Sequence, residues 1–292
     1  MNDLQHIIDN ISLFKHLYDG LRIVDPIRKK VVYYDEKNIE ITEVSCYDFW
    51  EKGEHCANCV SIRAYTEGDS CVKVEYNGNK IFLVMATPLE YNDNKYVFET
   101  FKDITRTGIV QDVENKSQQD ILKYIKGIND RVVKDELTGI YNRRYINDKL
   151  PVEIFAVSVT RKASTAIMFD IDNFKKINDE YGHILGDYLL KEFTKILQEK
   201  IKNTQGWIGR YGGEEFFVLL QGLQKEEAYI LAEDMRRTIE DTSFFYKGVE
   251  IKFTISGGIY EIQGIENFEE VLEMADNKLY EAKGSGKNCI KN

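Results

Sequence analysis

A chain of 292 residues is long enough for two domains of ordinary size, each with its own core. Its composition is globular, with 43% hydrophobic residues and three prolines, which excludes long disordered regions. The net charge of −10 argues against a broad surface for nucleic acid, although a small basic pocket could still take a nucleotide; the longest apolar run, IFLVMATPL, is far shorter than a membrane span, so a soluble cytoplasmic protein is expected.

From about residue 18 to 105 the chain alternates apolar and polar positions in five segments: GLRIVD, KKVVYYD, CVKVEYN, KIFLVMATPLEY and KYVFETFKDIT. Turn pairs such as Asn77-Gly78 and Asn92-Asp93-Asn94 break them, so the pattern predicts an antiparallel sheet. Between the second and third segments, roughly residues 43 to 68, the chain reads as helical or irregular and carries cysteines. Two strands, a helical insert and three closing strands ending on FKDIT resemble a PAS sensory domain over residues 1–105.

Cys46, Cys56, Cys59 and Cys71 fall in this part of the chain, with His55 adjacent to the C-x-x-C pair. One such pair with two further thiols can close a tetrahedral soft-metal site, for zinc or an iron–sulfur cluster, or serve as a redox sensor. Buried free cysteines acting as small hydrophobes are the alternative, and Cys71 at a strand start fits that. A reducing cytoplasm makes structural disulfides unexpected.

Residues 106–134 contain no proline and many charges, and Ile121, Ile125, Ile128 and Val132 recur at helical spacing. That seam predicts a connector helix that pairs with a copy of itself, making a homodimer; an amphipathic helix lying on one of the domains is the other reading. From Asp135 to the end strands and helices alternate. STAIMFDID reads as a strand buried on both faces, DNFKKINDEYGHILGDYLLKEFTKILQEKI as helix broken near Gly182, and WIGRYGGEEFFVLL as a hairpin. A helix near 225–240, the strand IKFTISGGIYEI and a last helix through YEAKGSGKN complete an α/β domain over residues 135–292.

Asp170 ends a buried strand, where open α/β sheets bind ligands, and its oxygen suits a hard cation such as Mg²⁺. Asp172, just before a helix, reads as an N-cap. A Gly-Gly pair between strands predicts a type I′ hairpin with positive φ at both residues. Two adjacent acids at the start of the next strand repel unless a cation takes them up, and Gly212 and Gly213 leave room for phosphates. Lys283 and Lys287, flanked by glycines, could meet those phosphates.

DELTGIYNRRYI (135–146), FDIDNFKKINDEYGHILGD (169–187), RYGGEEF (210–216) and YEAKGSGKN (280–288) together resemble the GGDEF-domain diguanylate cyclases. The resemblance implies a mixed central sheet flanked by helices, as in nucleotide cyclases, and condensation of two GTP into cyclic di-GMP and two pyrophosphates across a dimer. It implies two Mg²⁺ per active site, held by Asp170, the carbonyl of Ile171 and Glu214. Glu215 is then catalytic with Glu214, either near the second metal or as an aid to deprotonating the attacking hydroxyl. Asn178 and Asp187 match guanine contacts, with His183 near the nucleotide, and Lys175, Lys283 and Lys287 match phosphate contacts. The carboxylate at Asp187 can accept from both N–H donors on guanine's edge, a pair that adenine lacks. Lysine at 287 departs from the more usual arginine and loses the bidentate fork. An inactive GGDEF domain that only binds GTP or cyclic di-GMP is the alternative. The Arg-x-x-Asp product-inhibition motif of many such enzymes is replaced by Asn203, Thr204, Gln205 and Gly206, so inhibition through that site is not expected.

Overall fold

The structure is a computed structural model that describes residues 17–34, 39–51, 53, 55–92, 94–107 and 117–292. The chain divides into two compact units between Val133 and Lys134.

In the first unit, β1 (Gly20–Asp25), β2 (Lys30–Tyr34), β3 (Ile39–Ser45), β4 (Cys71–Tyr76), β5 (Ile81–Tyr91) and β6 (Asn94–Asp103) form one sheet in the order β3-β2-β1-β6-β5-β4. Every paired neighbour is antiparallel. The Asn77-Gly78 turn joins β4 to β5: Gly78 has φ 84, and the Asn77 side chain accepts from the amides of Asn79 and Lys80. β3 was not foreseen. It is an edge strand whose Ile41 and Val44 side chains stay exposed, so no buried face marked it in the pattern. The cysteine-bearing stretch that follows is mostly irregular, with one 3₁₀ turn at Asp48–Trp50 and the short helix α1 (Val60–Glu67).

The expected self-pairing seam is instead covered by the unit's own sheet. In α2 (Gln118–Val133), Ile121 and Ile125 are buried against Tyr76, Ile81 and Ile104, with Ile128 at the margin. Asn129 fixes the register by donating to the carbonyl of Val74 at 3.2 Å and accepting from Asn58 at 2.7 Å. An apolar stripe is served equally well by a sheet face or by a second helix, which is why spacing alone misassigned it. Residues 108–116 of the expected connector lie outside the described residues.

The second unit runs α3 (Arg143–Thr160), β7 (Ser164–Ile171), α4 (Phe174–Tyr181), α5 (His183–Ile201), β8 (Trp207–Arg210), β9 (Glu215–Gln221), α6 (Lys225–Asp241), β10 (Phe244–Tyr246), β11 (Val249–Ile251), β12 (Ile255–Glu261), α7 (Phe268–Gly284) and β13 (Ile290–Lys291). Its main sheet has the order β13-β12-β7-β9-β8, and β10-β11 form a separate hairpin. The sheet is mixed, with β12 and β13 parallel and the other pairs antiparallel. The ligand rule for parallel sheets therefore does not apply at β7, both of whose neighbours run against it.

Central β7 is buried along its whole length. Ile167, Phe169 and Ile171 share one core with Phe216, Val218 and the apolar faces of α5 and α6. The alternate residues Ala166, Met168 and Asp170 face the other way, as the two-residue period of a strand requires. On that side α7 lies very close to β12: a Cβ at Gly258 would come within 2.1 Å of the Leu279 nitrogen and 2.2 Å of the Ala275 carbonyl. Gly258 is opposite Met168 and Ser256 opposite Asp170. Lys283 follows Ala275 and Leu279 at four-residue steps along the same helix face, and this close approach brings it to Asp170. Among the described residues no helix is long and apolar enough to cross a membrane.

Candidate active site

The acids gather where β7 ends and β9 begins. Asp170 is directly opposite Glu215 in the β7–β9 ladder, and the amide of Ile171 donates to the Glu214 carbonyl at 3.3 Å. Asp170 is buried, at 7% exposure, and Lys283 Nζ reaches its carboxylate at 2.8 Å. Burial pushes the Asp170 carboxyl up to about 6; Lys283 pulls it down, and Glu214 and Glu215 push it further up. Among the described residues no three His, Cys, Asp or Glu side chains form a ready-made metal cluster. The donor set nevertheless fits a hard cation: oxygen ligands only, mutually repelling, with an ammonium already drawn to one of them.

The glycine turn differs from the expected type I′ hairpin. Residues 211–214 form a four-residue loop in which the amide of Tyr211 donates to the Glu215 carbonyl at 2.9 Å. Neither Gly212 nor Gly213 is among the residues with positive φ. These glycines supply space and not left-handed backbone. A Cβ at 212 would meet Glu215 Oε2 at 2.7 Å, whereas one at 213 would meet nothing within 4 Å and point into open space. Arg210 pins the loop by donating to the Gly213 carbonyl from Nε (3.1 Å) and Nη2 (2.7 Å), and its Nη1 pairs with Asp135 at 3.2 Å. Burial alone would raise the Asp135 carboxyl, but Thr138's hydroxyl and amide, together with Arg210, hold it below its usual value.

Asn178 lies on α4 and Asp187 on the first turns of α5, with Gly182 (φ 84) making the break between the helices. Asn178 Oδ1 is buried and meets no hydrogen-bond donor, and it sits where a Cβ at Gly186 would be. Asp187, His183 and Lys175 are exposed. Lys287, also exposed, donates to Asn173 Oδ1 at 2.7 Å. The loop that carries it is wound tightly, with Gly286, Lys287 and Asn288 in succession at positive φ (108, 67 and 47).

Asp172 holds that loop and does not cap α4; Asn173 takes the N-cap position, without a side-chain capping bond. The buried Asp172 carboxylate accepts from Thr254 Oγ1 and Ser256 Oγ, each at 2.7 Å, and from the Asn288 amide at 3.0 Å. Asn288 is tied in turn to Arg236 and Glu240. These supports were missed in the sequence, where Asp135, Arg210 and Asn288 stood within or beside the quoted motifs but no partner could be assigned to them.

The cysteines do not assemble into the four-thiol metal site that was considered. Cys46, Cys56, Cys59 and Cys71 are all buried and free of disulfides. Cys71 Sγ donates to Glu67 at 3.5 Å. Burial raises the Cys46 and Cys59 thiols, and the charge of a neighbouring cysteine raises each further, Cys59 for Cys46 and Cys56 for Cys59.

The sequence profile described as "Diguanylate cyclase, GGDEF domain" matches residues 132–289. Among curated proteins, the diguanylate cyclase DgcP of Pseudomonas aeruginosa is 34% identical over 60% of this chain and 26% of its own length. DgcS of Shewanella oneidensis is 38% identical over 54% of this chain and 51% of its own length. The chain thus spans about half or less of these relatives. Of solved structures, the coiled coil and GGDEF domain of DgcB from Caulobacter crescentus, in complex with c-di-GMP, shares the fold at TM-score 0.56 and 22% identity, over 59% of this chain and 92% of that one. The diguanylate cyclase SiaD of Pseudomonas aeruginosa, solved with its activator SiaC, aligns at TM-score 0.54 and 27% identity, over 63% and 71%. With a profile matching more than half of its residues over the unit that carries the acid cluster, the chain belongs to the GGDEF family of diguanylate cyclase domains.

Proposed function

We propose that this chain is a diguanylate cyclase, joining two GTP molecules into cyclic di-GMP with release of two pyrophosphates. The observation that carries the reading is the convergence of Asp170, Glu214 and Glu215 at the β7–β9 ends, with Lys283 on Asp170 at 2.8 Å. Asp170, the Ile171 carbonyl and Glu214 would hold Mg²⁺, which when bound offsets charge on the transferring phosphoryl group. Lys283, Lys287 and Lys175 supply positive charge for the triphosphate, and the open space at Gly213 lets it approach the backbone. Asn178 and Asp187 meet the guanine edge, and His183 lies near the nucleotide. Glu215, opposite Asp170 in the ladder, serves either near the second metal or in deprotonating the attacking 3′-hydroxyl, which displaces pyrophosphate from the α-phosphate of a GTP held by a facing copy. One unit holds one GTP, so turnover requires a homodimer.

The first unit is proposed to be a PAS-like sensor that regulates this reaction. The order β2-β1-β6-β5-β4 supports it, with the irregular segment and α1 between the early and late strands and β3 as an added edge. So does a cavity of about 440 Å³ lined by His55, Cys56, Asn58, Glu75, Tyr76 and Asn129, the last on α2. A GTP-consuming enzyme of this kind belongs in the cytoplasm. Incubation with GTP and Mg²⁺, followed by chromatography of the nucleotides, tests the main reading. Cyclic di-GMP from the wild type and none from Glu215→Ala is expected; a folded dimeric wild type that binds GTP but makes no cyclic product would favour the binding-module alternative.

A further inference from the structure

Gly186 is the fourth residue of α5, a place where glycine is destabilising relative to alanine and where no turn calls for it. Its backbone is ordinary helix: it is not among the glycines with positive φ, unlike Gly182 four residues earlier. Its amide bonds to the Gly182 carbonyl at 3.3 Å. An L-residue would therefore fit the backbone. What it would not fit is Asn178. A Cβ at 186 would come within 2.0 Å of Asn178 Oδ1 and 3.0 Å of its Cγ, and within 3.2 Å of Phe174 Cζ.

Asn178 gains nothing within the protein from this position. Its Oδ1 is buried without a hydrogen-bond donor, an arrangement that costs free energy. An orphaned acceptor turned into a seat cut from the neighbouring helix, one residue before the exposed Asp187, holds the Asn178 amide in one fixed orientation.

We propose that Gly186 is a positioning residue for guanine recognition: the missing side chain is the seat that takes Asn178 Oδ1 and so fixes the orientation in which the Asn178 amide meets the bound base. This rests on the reading of Asn178 as a guanine contact in the proposed cyclase. A methyl group at 186 displaces the tip of a flexible side chain and moves the Phe174 ring by a few tenths of an ångström, but meets no backbone, so it removes the seat while leaving the fold intact. The general effect of Gly→Ala in a helix works in the opposite direction, toward higher stability. Loss of nucleotide affinity together with unchanged or raised stability distinguishes this role from a packing role.

The test is a double-mutant cycle on the full chain, using Gly186→Ala, Asn178→Ala and the pair. Binding of α,β-methylene GTP and α,β-methylene ATP with Mg²⁺ is measured by calorimetry, and thermal unfolding is followed for each variant. The expected result is that each single substitution weakens the guanine analogue by about tenfold, the loss of one hydrogen bond to a buried group. The double variant should bind no more weakly than Asn178→Ala, preference for guanine over adenine should fall in all three, and Gly186→Ala should melt at or above the wild type. Wild-type affinity in Gly186→Ala, a double variant in which the two losses multiply, or a Gly186→Ala variant that melts well below Asn178→Ala would each overturn the inference. Wild-type affinity in Asn178→Ala would overturn the guanine reading of that residue, and this inference with it, while leaving turnover of GTP as a separate question.

Discussion

Asp170 carries the heaviest electrostatic load at the site, because a buried carboxylate beside two other acids is ionised only at a cost that a cation relieves. Its carboxyl, pushed up to about 6, lies above the value near 3.9 of an unfolded chain. The folded state therefore takes up a proton first, and this group favours folding more as pH falls from about 6 toward 4; above that window it is a constant penalty. A proton on Asp170 also competes with a metal, so Mg²⁺ affinity should fall by about tenfold per pH unit below 6. Calorimetric titration of Mg²⁺ into the protein at stepped pH checks this, and a pH-independent affinity would remove Asp170 from the ligand set. Glu215 is the second residue whose role is exposed to test: Glu215→Ala should abolish turnover while leaving thermal stability within about 0.5 kcal/mol, since its side chain is only half-buried. The identities of these acids were legible in the sequence because buried-strand chemistry and an adjacent like-charged pair are local signals. The roles of Asp172, Arg210 and Asp135 were not, because each depends on a partner 75 or more residues away.

At the scale of elements, the β8–β9 loop is held by Arg210 and not by its glycines. Arg210→Ala frees the Gly213 carbonyl and removes the Arg210–Asp135 pair, and should destabilise the second unit by about 1–3 kcal/mol in denaturant unfolding. Gly213→Ala should leave stability nearly unchanged, since its Cβ enters open space, yet weaken triphosphate binding if that space admits the phosphates. The sequence suggested a two-residue turn because Gly-Gly is the commonest solution for one; the ladder, closing at Tyr211 and Glu215, used a longer loop. The α2 seam teaches the same lesson. Its period was correct and its partner was not. Ile125→Ala should cost about 2–5 kcal/mol in the stability of the first unit, as a cavity under the sheet. An oligomeric state changed at unaltered stability would instead restore the self-pairing reading.

For the whole molecule, two units with separate cores and a break at Val133 leave the acid cluster entirely within residues from Lys134 on, while Cys46, Cys56, Cys59 and Cys71 and the cavity beside His55 belong to the first unit. Length and the change of hydrophobic period near residue 135 made two separate cores legible; the added strand β3 and the packing of α2 were decided by contacts that no local pattern records. With Asn203 to Gly206 in place of an Arg-x-x-Asp motif, and Thr204 and Gly206 engaged in a local turn, added cyclic di-GMP should not suppress turnover noncompetitively. Initial rates across a range of product concentrations decide that point. The most direct measurement of the central claim is the mass balance of a single reaction with GTP and Mg²⁺, quantifying cyclic di-GMP and pyrophosphate together. Two pyrophosphates for each cyclic di-GMP, and neither product from ATP, is the predicted result; pyrophosphate without the cyclic product, or a cyclic product formed equally well from ATP, would contradict it.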